Sequence, residues 1–267
     1  MAAAPPSPEQ IASWLAAAAA AADAAASVVR PYFRAGLTAD LKGDASPVTE
    51  ADRAAELAMR AVLAERCPGH GIIGEEFGET APDARFRWAL DPIDGTRAFI
   101  TGRPLFGTLV GLLDGGAPIL GVIDQPVTGE RWRAAPGQPT EFRGPFGGRA
   151  GCRACPALDQ AELSCTSPLM FADAEFARWR RLASACRRAS FGGDCYAYGL
   201  LALGQIDVIA EADLKVWDWA ALVPVIAGAG GRMTDWQGRP LRAGGDGRAL
   251  AVGDPALLDL AIGIIGA

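Results

Sequence analysis

The stretch Asp91-Pro92-Ile93-Asp94-Gly95-Thr96 decides how the rest of this chain is interpreted. It follows a short apolar run, Phe86 to Leu90, that is typical of a β-strand. The two carboxylates lie three residues apart in a turn that Pro and Gly impose, so they can converge on one point at the end of the strand. Because like charges repel, we expect a hard cation to neutralise such a cluster.

The donor atoms of this turn indicate magnesium. The carboxylates and the backbone carbonyl of Ile93 form an all-oxygen set, which Mg2+ prefers, with room left for water and a substrate phosphate. Gly95 lets the backbone approach a ligand closely, and the hydroxyl of Thr96 can hold a water. The residues therefore predict a magnesium site at the end of this strand.

Three motifs of the chain resemble the inositol monophosphatase-like, magnesium-dependent phosphomonoesterases. They are Gly74-Glu75-Glu76, the DPIDGT run, and Trp217-Asp218-Trp219-Ala220-Ala221 followed by Ala229-Gly230-Gly231. The middle motif alone is a strong signal, and the resemblance covers nearly the whole chain. It implies an α/β fold with an α+β N-terminal half, arranged as the layered α-β-α-β-α sandwich of that family.

The resemblance also implies which residues hold the metal. Glu75, Asp91 and the Ile93 carbonyl would hold a first Mg2+, and Asp91, Asp94 and Asp218 would hold a second. The family allows a third, weaker ion near Glu75. For Asp218, which stands at a predicted helix start, capping of that helix is the alternative role.

For catalysis the resemblance implies in-line attack of a water on phosphorus, with Glu75 and Thr96 orienting and deprotonating it. In the family an Asp at the place of Asp52 hydrogen-bonds this Thr, although a helix dipole alone would explain a carboxylate in a first helical turn. Glu76 is expected to be a surface charge. The only histidine, His70, is expected to pack or to face solvent, which makes a mechanism with a catalytic His hard to build.

The second half of the chain is expected to choose the phosphate ester. The run from Gly192 to Tyr198 looks most like the histidinol-phosphate phosphatase branch. Asp194 and Glu211 would suit the ammonium and imidazole of histidinol phosphate, although Asp194 could instead cap a helix and Glu211 could simply end a strand.

The phosphate group of the substrate is expected to lie at the DPIDGT turn. The amides near Gly95 and Thr96 can bind its oxygens. Asp218 is also expected to contact the substrate. The alternatives are an inositol-1-phosphatase or a broad-specificity sugar-phosphate phosphatase, a bisphosphate nucleotide phosphatase, and an inactive homologue that acts as a binding protein.

Composition limits the partners. The 267 residues carry a net charge of −6, which argues against nucleic acid because a phosphate-backbone binder needs a basic surface. No apolar run reaches the ~20 residues that span a membrane, and the Ala-rich stretch Ala16 to Ala22 is interrupted by Asp23. We therefore expect no membrane partner. The resemblance implies a small phosphate monoester as substrate and a homodimer.

The six cysteines stand at irregular spacings, with Cys152 and Cys155 as an isolated CxxC pair. Reduced thiols in a cytoplasmic protein are expected here rather than a zinc or redox site.

The Gly/Pro-rich stretch from Gly144 to Pro156 predicts a boundary between two halves. Residues 1–148 would form an α+β half with an antiparallel sheet and most of the metal ligands. Residues 149–267 would form an α/β half with Asp218 and the substrate-selecting residues.

Local signals place the elements of the first half. Ser7 to Gln10 predicts a capped helix start, with the helix running to about Phe33, and Thr49 is expected to cap a helix from Glu50 to Arg66. Strands are predicted at 71–74, up to Asp91, at 130–134 and at 140–143, with a hairpin over 106–113 and 118–124.

In the second half, helices and strands alternate along the sequence. Helices are predicted over 173–188, 195–203 and 218–229 and from about 255, and strands over 163–165, 206–210, 232–235 and 249–252.

Overall fold

The computed structural model describes residues 4–35, 40–41, 47–48 and 50–266. Its α-helices in chain order are α1 (Pro8–Tyr32), α2 (Glu50–Arg66), α3 (Thr96–Ile100), α4 (Asp173–Ala185), α5 (Asp194–Leu201), α6 (Val216–Trp219), α7 (Leu222–Gly228) and α8 (Leu257–Ile265). Two short 3-10 helices cover Leu158–Gln160 and Pro168–Met170.

The strands form two large sheets and one small pair. In chain order they are β1 (Asp40–Leu41), β2 (Pro47–Val48), β3 (Gly71–Gly74), β4 (Gly78–Thr80), β5 (Phe86–Asp94), β6 (Gly107–Asp114), β7 (Ala117–Gln125), β8 (Glu130–Ala134), β9 (Glu141–Arg143), β10 (Glu162–Cys165), β11 (Arg188–Phe191), β12 (Val208–Glu211), β13 (Arg232–Thr234) and β14 (Ala249–Val252). The first large sheet has the order β4-β3-β5-β6-β7-β8-β9, and the second has the order β11-β10-β12-β14-β13.

Pairing differs between the two sheets. In the first, only β3 and β5 pair in parallel and the other neighbours are antiparallel. In the second, β10 is parallel to both β11 and β12, while β14 is antiparallel to β12 and β13.

Three apolar clusters define the layers. In the first, α1 and α2 pack on one face of the seven-stranded sheet through residues such as Trp14, Met59 and Trp88. In the second, α5, α6 and α7 fill the space between the two sheets. In the third, α4 and α8 cover the outer face of the five-stranded sheet. The predicted α-β-α-β-α sandwich is confirmed.

Helix α1 begins at the predicted capping box. The Ser7 hydroxyl accepts the N–H of Gln10, and the Gln10 side chain accepts the N–H of Ser7. By length and composition this 25-residue helix could cross a membrane, contrary to the expectation that no segment was long enough. However, its row of buried alanines, with Ile11, Trp14 and Val29, lies in the core, as expected of a core helix in a globular protein.

Some elements differ from the prediction for physical reasons. The helix predicted over 218–229 is two helices, α6 and α7, which are separated at Ala220 and Ala221 where the chain presses against the sheet. Helix α4 ends at Ala185 and is followed by β11, whose four residues are all exposed and therefore show no alternation of apolar residues. Strand β4 and helix α3 were also not expected, because both are very short.

The predicted hairpin is confirmed as β6 and β7, joined at Gly115 and Gly116, which both have positive φ angles. Thr49, the expected cap of α2, lies outside the described residues. The division into halves at residue 148 stays a prediction, since the middle apolar layer joins residues from both sides of it.

Candidate active site

A bulge in β5 turns the carboxylates of the DPIDGT stretch to one side. Three steps along β5, from Asp91 to Asp94, lie opposite two steps along β6. In a regular strand, side chains three positions apart point to opposite faces, and the extra residue of the bulge cancels this difference. Pro92 lies inside the bulge, where its lack of an N–H leaves no ladder donor unpaired.

Asp218 reaches the same place because two glycines let its segment approach the sheet. Gly111 and Gly121 are paired across β6 and β7. A Cβ on Gly111 would lie 2.8 Å from the carbonyl carbon of Ala220, and one on Gly121 would lie 2.0 Å from the carbonyl oxygen of Ala221. Only glycine at both positions permits this packing, which sets how deep Asp218 lies.

Backbone amides orient the three aspartates. Each carboxylate accepts one N–H, and the pairs are Ile93 with Asp91 (3.0 Å), Cys195 with Asp94 (2.5 Å) and Lys215 with Asp218 (2.7 Å). Two of these donors come from the second half of the chain. The direction of the carboxylates therefore depends on the packing of both halves.

The three aspartates form a tight acidic cluster. Each offers a carboxylate oxygen, and these oxygens lie within 4.8 Å of one another. Burial, followed by repulsion from Glu75, Asp94 and Asp218, raises the pKa of Asp91 well above its usual range. Burial and repulsion from Asp218 raise the pKa of Asp94 to about 8, and burial raises that of Asp218 to about 7.

This cluster fits a divalent cation. The raised pKa values measure how unfavourable the charged carboxylates are without a counter-ion, and a hard cation would remove that cost. The donor set is all oxygen, as Mg2+ requires. Among the described residues, the side chains of Glu75, Asp91, Asp94 and Asp218 and the carbonyl of Ile93 are therefore the groups that would hold it.

Glu75 and Thr96 line the same cavity as this cluster. The N–H of Glu75 donates to the carbonyl of Leu90 at 3.2 Å, so pairing of the chain with β5 continues beyond β3 and places Glu75 in the cavity that Asp91 lines. The Thr96 hydroxyl donates to the Ile93 carbonyl at 3.2 Å. The roles of both residues in orienting a water stay predictions.

Asp52 lies buried in the first turn of α2, where repulsion from it contributes to the raised pKa of Asp91. The hydrogen bond described for the Thr96 hydroxyl goes to the Ile93 carbonyl, so a bond from Thr96 to Asp52 stays a prediction.

A cavity of about 200 Å³ joins the acidic cluster to the predicted substrate residues. Its lining includes Gly95, Thr96, Asp194, Glu211 and Asp218. All the residues that the sequence assigned to metal, catalysis or substrate, except Asp52, therefore line one cavity.

Asp194 and Glu211 have different surroundings in this cavity. Within the described part of the chain, the Asp194 carboxylate makes no hydrogen bond or ion pair. Burial and repulsion from Asp94 and Glu211 raise its pKa to about 8, and the positive charges of Arg103 and Arg97 oppose this rise. Glu211 is 3% exposed, and its two oxygens accept the N–H of Thr166 at 2.5 Å and the hydroxyl of Tyr198 at 2.8 Å.

Sequence reasoning missed Tyr198 and Thr166 as residues of the site. Tyr198 ends the run that begins at Gly192, but nothing in its spacing from Glu211 indicates that the two side chains meet. The available signal was a Tyr in an apolar helical segment, since a buried Tyr hydroxyl usually has a polar partner.

His70 and the cysteines lie outside this chemistry. The His70 ring packs against Trp14, Phe86 and Trp88, and burial lowers its pKa. All six cysteines are free thiols. Neither Cys152 nor Cys155 belongs to a metal-ligating cluster among the described residues.

Comparison with known proteins settles the family. The sequence profile of the inositol monophosphatase family matches residues 10–265. The chain belongs to the inositol monophosphatase family. Its members are metal-dependent, in agreement with the acidic cluster.

Relatives within the family carry different names. A bifunctional phosphatase of Arabidopsis thaliana, IMPL2, chloroplastic, is 47% identical over 81% of this chain, but the matched region spans only 62% of that relative's length. A histidinol-phosphatase of Mycobacterium tuberculosis is 38% identical, with 81% of this chain and 85% of the relative covered. A solved structure described as an inositol monophosphatase from Zymomonas mobilis is 49% identical, with a TM-score of 0.86 and coverage of 95% of this chain and 97% of the other.

Proposed function

We propose that this chain is a magnesium-dependent phosphomonoesterase that hydrolyses histidinol phosphate to histidinol and phosphate, a step of histidine biosynthesis. The family and the acidic cluster support the phosphatase chemistry. The Asp194 carboxylate, which makes no hydrogen bond or ion pair with the described residues and lines the cavity, is the observation that carries the choice of substrate.

In the hydrolysis, a water oxygen bonds to phosphorus while the bond from phosphorus to the alcohol oxygen breaks. When bound, two Mg2+ ions, with room in the family for a third, would supply the positive charge that activates the water and stabilises the leaving oxygen. The Thr96 hydroxyl donates to the Ile93 carbonyl, so its lone pairs are free to accept a hydrogen bond from that water. Glu75, which lines the same cavity, would accept the proton of the water, and the amides near Gly95 would hold phosphate oxygens.

The two acids of the substrate side would then divide the work. Asp194 would pair directly with the ammonium of histidinol phosphate, since its oxygens are free of other described partners. Glu211, already held by two donors, would act as a fixed negative charge at the back of the cavity. From the sequence alone we expected Glu211→Gln to affect this substrate more than Asp194→Asn, and this proposal reverses that order.

A substrate panel tests the proposal. We expect kcat/KM for histidinol phosphate to exceed that for inositol 1-phosphate by at least ~10-fold, because a charge-assisted hydrogen bond contributes roughly 1.5–3 kcal/mol. Asp194→Asn is expected to reduce this ratio ~10-fold or more, and Glu211→Gln less. Asp159→Asn, at an exposed position, is the matched control.

Two results would redirect the proposal. Equal or better turnover of inositol 1-phosphate would make the chain an inositol monophosphatase, as one relative is named. A high ratio that Asp194→Asn leaves unchanged would keep the substrate and remove Asp194 from its recognition.

We also propose that the enzyme is a cytoplasmic homodimer. Strand β11 is an edge of the second sheet, and all four of its residues are exposed. Phe191 at its end is 53% exposed, and Leu169, in the 3-10 helix that follows the neighbouring strand β10, is 86% exposed. Folded proteins usually protect the edge strands of their sheets. A second copy of the chain would cover β11. Light scattering should give twice the chain mass for wild type and a monomer for Phe191→Glu.

A further inference from the structure

A buried carboxylate on α2 contacts the turn that carries Glu75. Glu56 is 0% exposed, and it stands one helical turn after Asp52. Its Oε2 accepts the backbone N–H of Glu76 at 2.7 Å, and its Oε1 accepts that of Phe77 at 3.3 Å. Both amides belong to the turn between β3 and β4, which begins at Glu75.

An ion pair extends this contact across the turn. The Nε of Arg60 donates to Glu56 Oε1 at 2.7 Å, and another nitrogen of Arg60 donates to the carbonyl of Gly78 at 2.5 Å. Glu56 therefore holds the beginning of the turn while Arg60 holds its end. The Arg60 side chain is only 14% exposed, so water screens this pair weakly.

Gly74 is adapted to the same carboxylate. A Cβ at Gly74 would lie 1.9 Å from Glu56 Oε1. The Glu56 carboxylate can therefore approach the backbone of the turn only because Gly74, the residue before Glu75, has no side chain.

The energetic cost of Glu56 indicates a positional role. Burial of an ion pair is rarely more stabilising than apolar packing of the same volume. The neighbouring core positions of α2, Ala55, Met59 and Leu63, are apolar and show what packing alone would select here. The buried Glu56 carboxylate accepts three hydrogen bonds, two from the turn and one from Arg60. Such directional bonds fix the orientation of the turn, which an apolar side chain cannot do.

We infer that Glu56, paired with Arg60, is a positioning residue that fixes the turn after β3 and so directs the Glu75 carboxylate at the aspartate cluster. The inference rests on the proposed role of Glu75 as a magnesium ligand. Glu75 and Asp91 line the same cavity, so a small rotation of the turn changes the distance between them.

The test compares Glu56→Gln with Met59→Ala. Both changes alter a fully buried side chain of the same helix. Glu56→Gln removes a charge, whereas Met59→Ala removes part of the apolar cluster between α1, α2 and the sheet. Two quantities are measured on metal-free protein as Mg2+ is added: the rise in Tm and the Mg2+ concentration for half-maximal activity.

We expect Glu56→Gln to raise that Mg2+ concentration ~10-fold or more, as is usual when a partner of a metal ligand is changed, and to reduce the rise in Tm. Met59→Ala should lower Tm throughout and leave the Mg2+ requirement within about twofold. In a Glu75→Gln background, Glu56→Gln should have little further effect on Mg2+ affinity, because both changes act on one ligand.

The outcomes separate the two claims. If wild type shows no Mg2+-dependent rise in Tm, the proposed metal dependence is wrong and the inference fails with it. If wild type responds and Glu56→Gln responds at the same Mg2+ concentrations, Glu56 is only structural and the proposed function stands. Should Glu56→Gln not fold, Arg60→Lys replaces it, since it keeps the charge but loses the forked contact with Gly78, and an unchanged Mg2+ requirement there would equally overturn the inference.

Discussion

Gly95 and Asp194 are packed so closely that a Cβ on Gly95 would lie 2.9 Å from the carboxyl carbon of Asp194. Gly95 belongs to the stretch that holds the metal ligands, and Asp194 begins a helix 99 residues later. Both have positive φ angles, +93° and +43°, which is unusual for Asp. Backbone strain of this kind persists only where the surrounding structure imposes it, and it clusters at functional sites.

The first prediction follows from this contact. Gly95→Ala should lower kcat/KM by ~100-fold, because the added methyl group must displace either Asp194 or the backbone proposed to bind phosphate. Gly116→Ala is the control, since Gly116 has a similar φ of +87° but no atom within 4 Å of its Cβ position. It should lose stability without losing activity. If both variants keep full activity, the contact has no role in catalysis.

The second prediction concerns the hydroxyl of Tyr198. Burial raises the pKa of Glu211, and the hydrogen bonds from Thr166 and Tyr198 oppose this rise. In Tyr198→Phe the pKa of Glu211 should therefore rise further, and the acid limb of kcat/KM against pH for histidinol phosphate should move to higher pH. Tyr196→Phe is the matched control on the same helix, because Tyr196 donates to Glu130, also at 2.8 Å, outside the cavity. Identical pH profiles in the two variants would show that Tyr198 does not tune Glu211.

The third prediction concerns the glycine pair beneath Asp218. Gly121→Ala should destabilise the fold by about 1–3 kcal/mol through overpacking and should weaken Mg2+ binding, since the backbone of Ala221 must move. Urea unfolding and Mg2+ titration measure the two effects. Gly151→Ala, where nothing lies within 4 Å of the Cβ position, should change neither. Destabilisation with unaltered Mg2+ affinity would mean that Asp218 does not depend on this packing.

The fourth prediction compares two buried aspartates. Asp91→Asn should abolish activity yet raise Tm in EDTA, because it relieves repulsion within the acidic cluster. Asp124→Asn should lower Tm, because it breaks the 2.6 Å ion pair with Arg131 and leaves the more exposed Asp23, at 2.8 Å, as that cation's described partner. Near-normal activity of Asp91→Asn at saturating Mg2+ would refute the site.

The fifth prediction is a pH dependence of metal binding. The pKa values of Asp94 and Asp218, about 8 and about 7, lie above the ordinary unfolded value. The folded, metal-free protein therefore binds more protons than the unfolded chain between about pH 4 and about pH 8, so these groups lower its stability as pH rises through that range. Mg2+ requires the deprotonated carboxylates. The rise in Tm on adding Mg2+ should consequently be larger at about pH 8.5 than at about pH 5.5, and equal rises at both would contradict it.

Local sequence signals accounted for much of the first half. The capping box at Ser7, the hairpin turn at Gly115 and Gly116, and the strand that ends in DPIDGT each depend on residues close together in the chain. The family resemblance added Asp218 to the metal site, and the structure brings its carboxylate to within 4.8 Å of those of Asp91 and Asp94.

Other features were invisible because they depend on contacts between distant segments. The break between α6 and α7 arises where Ala220 and Ala221 meet Gly111 and Gly121. Strand β11 exists because β10 pairs with it.

By itself, the sequence determined the kinds of groups in this protein: oxygen ligands in a strand-ending turn, acids in the second half, and a pattern of helices and strands that suits a layered sandwich. The tertiary structure decided what each group is free to do. Glu211 is held by Thr166 and Tyr198, whereas the carboxylate of Asp194 has no such partner in the described chain. The physical reason is that a carboxylate's availability depends on which donors and charges surround it after folding, and those neighbours come from segments that no local pattern connects.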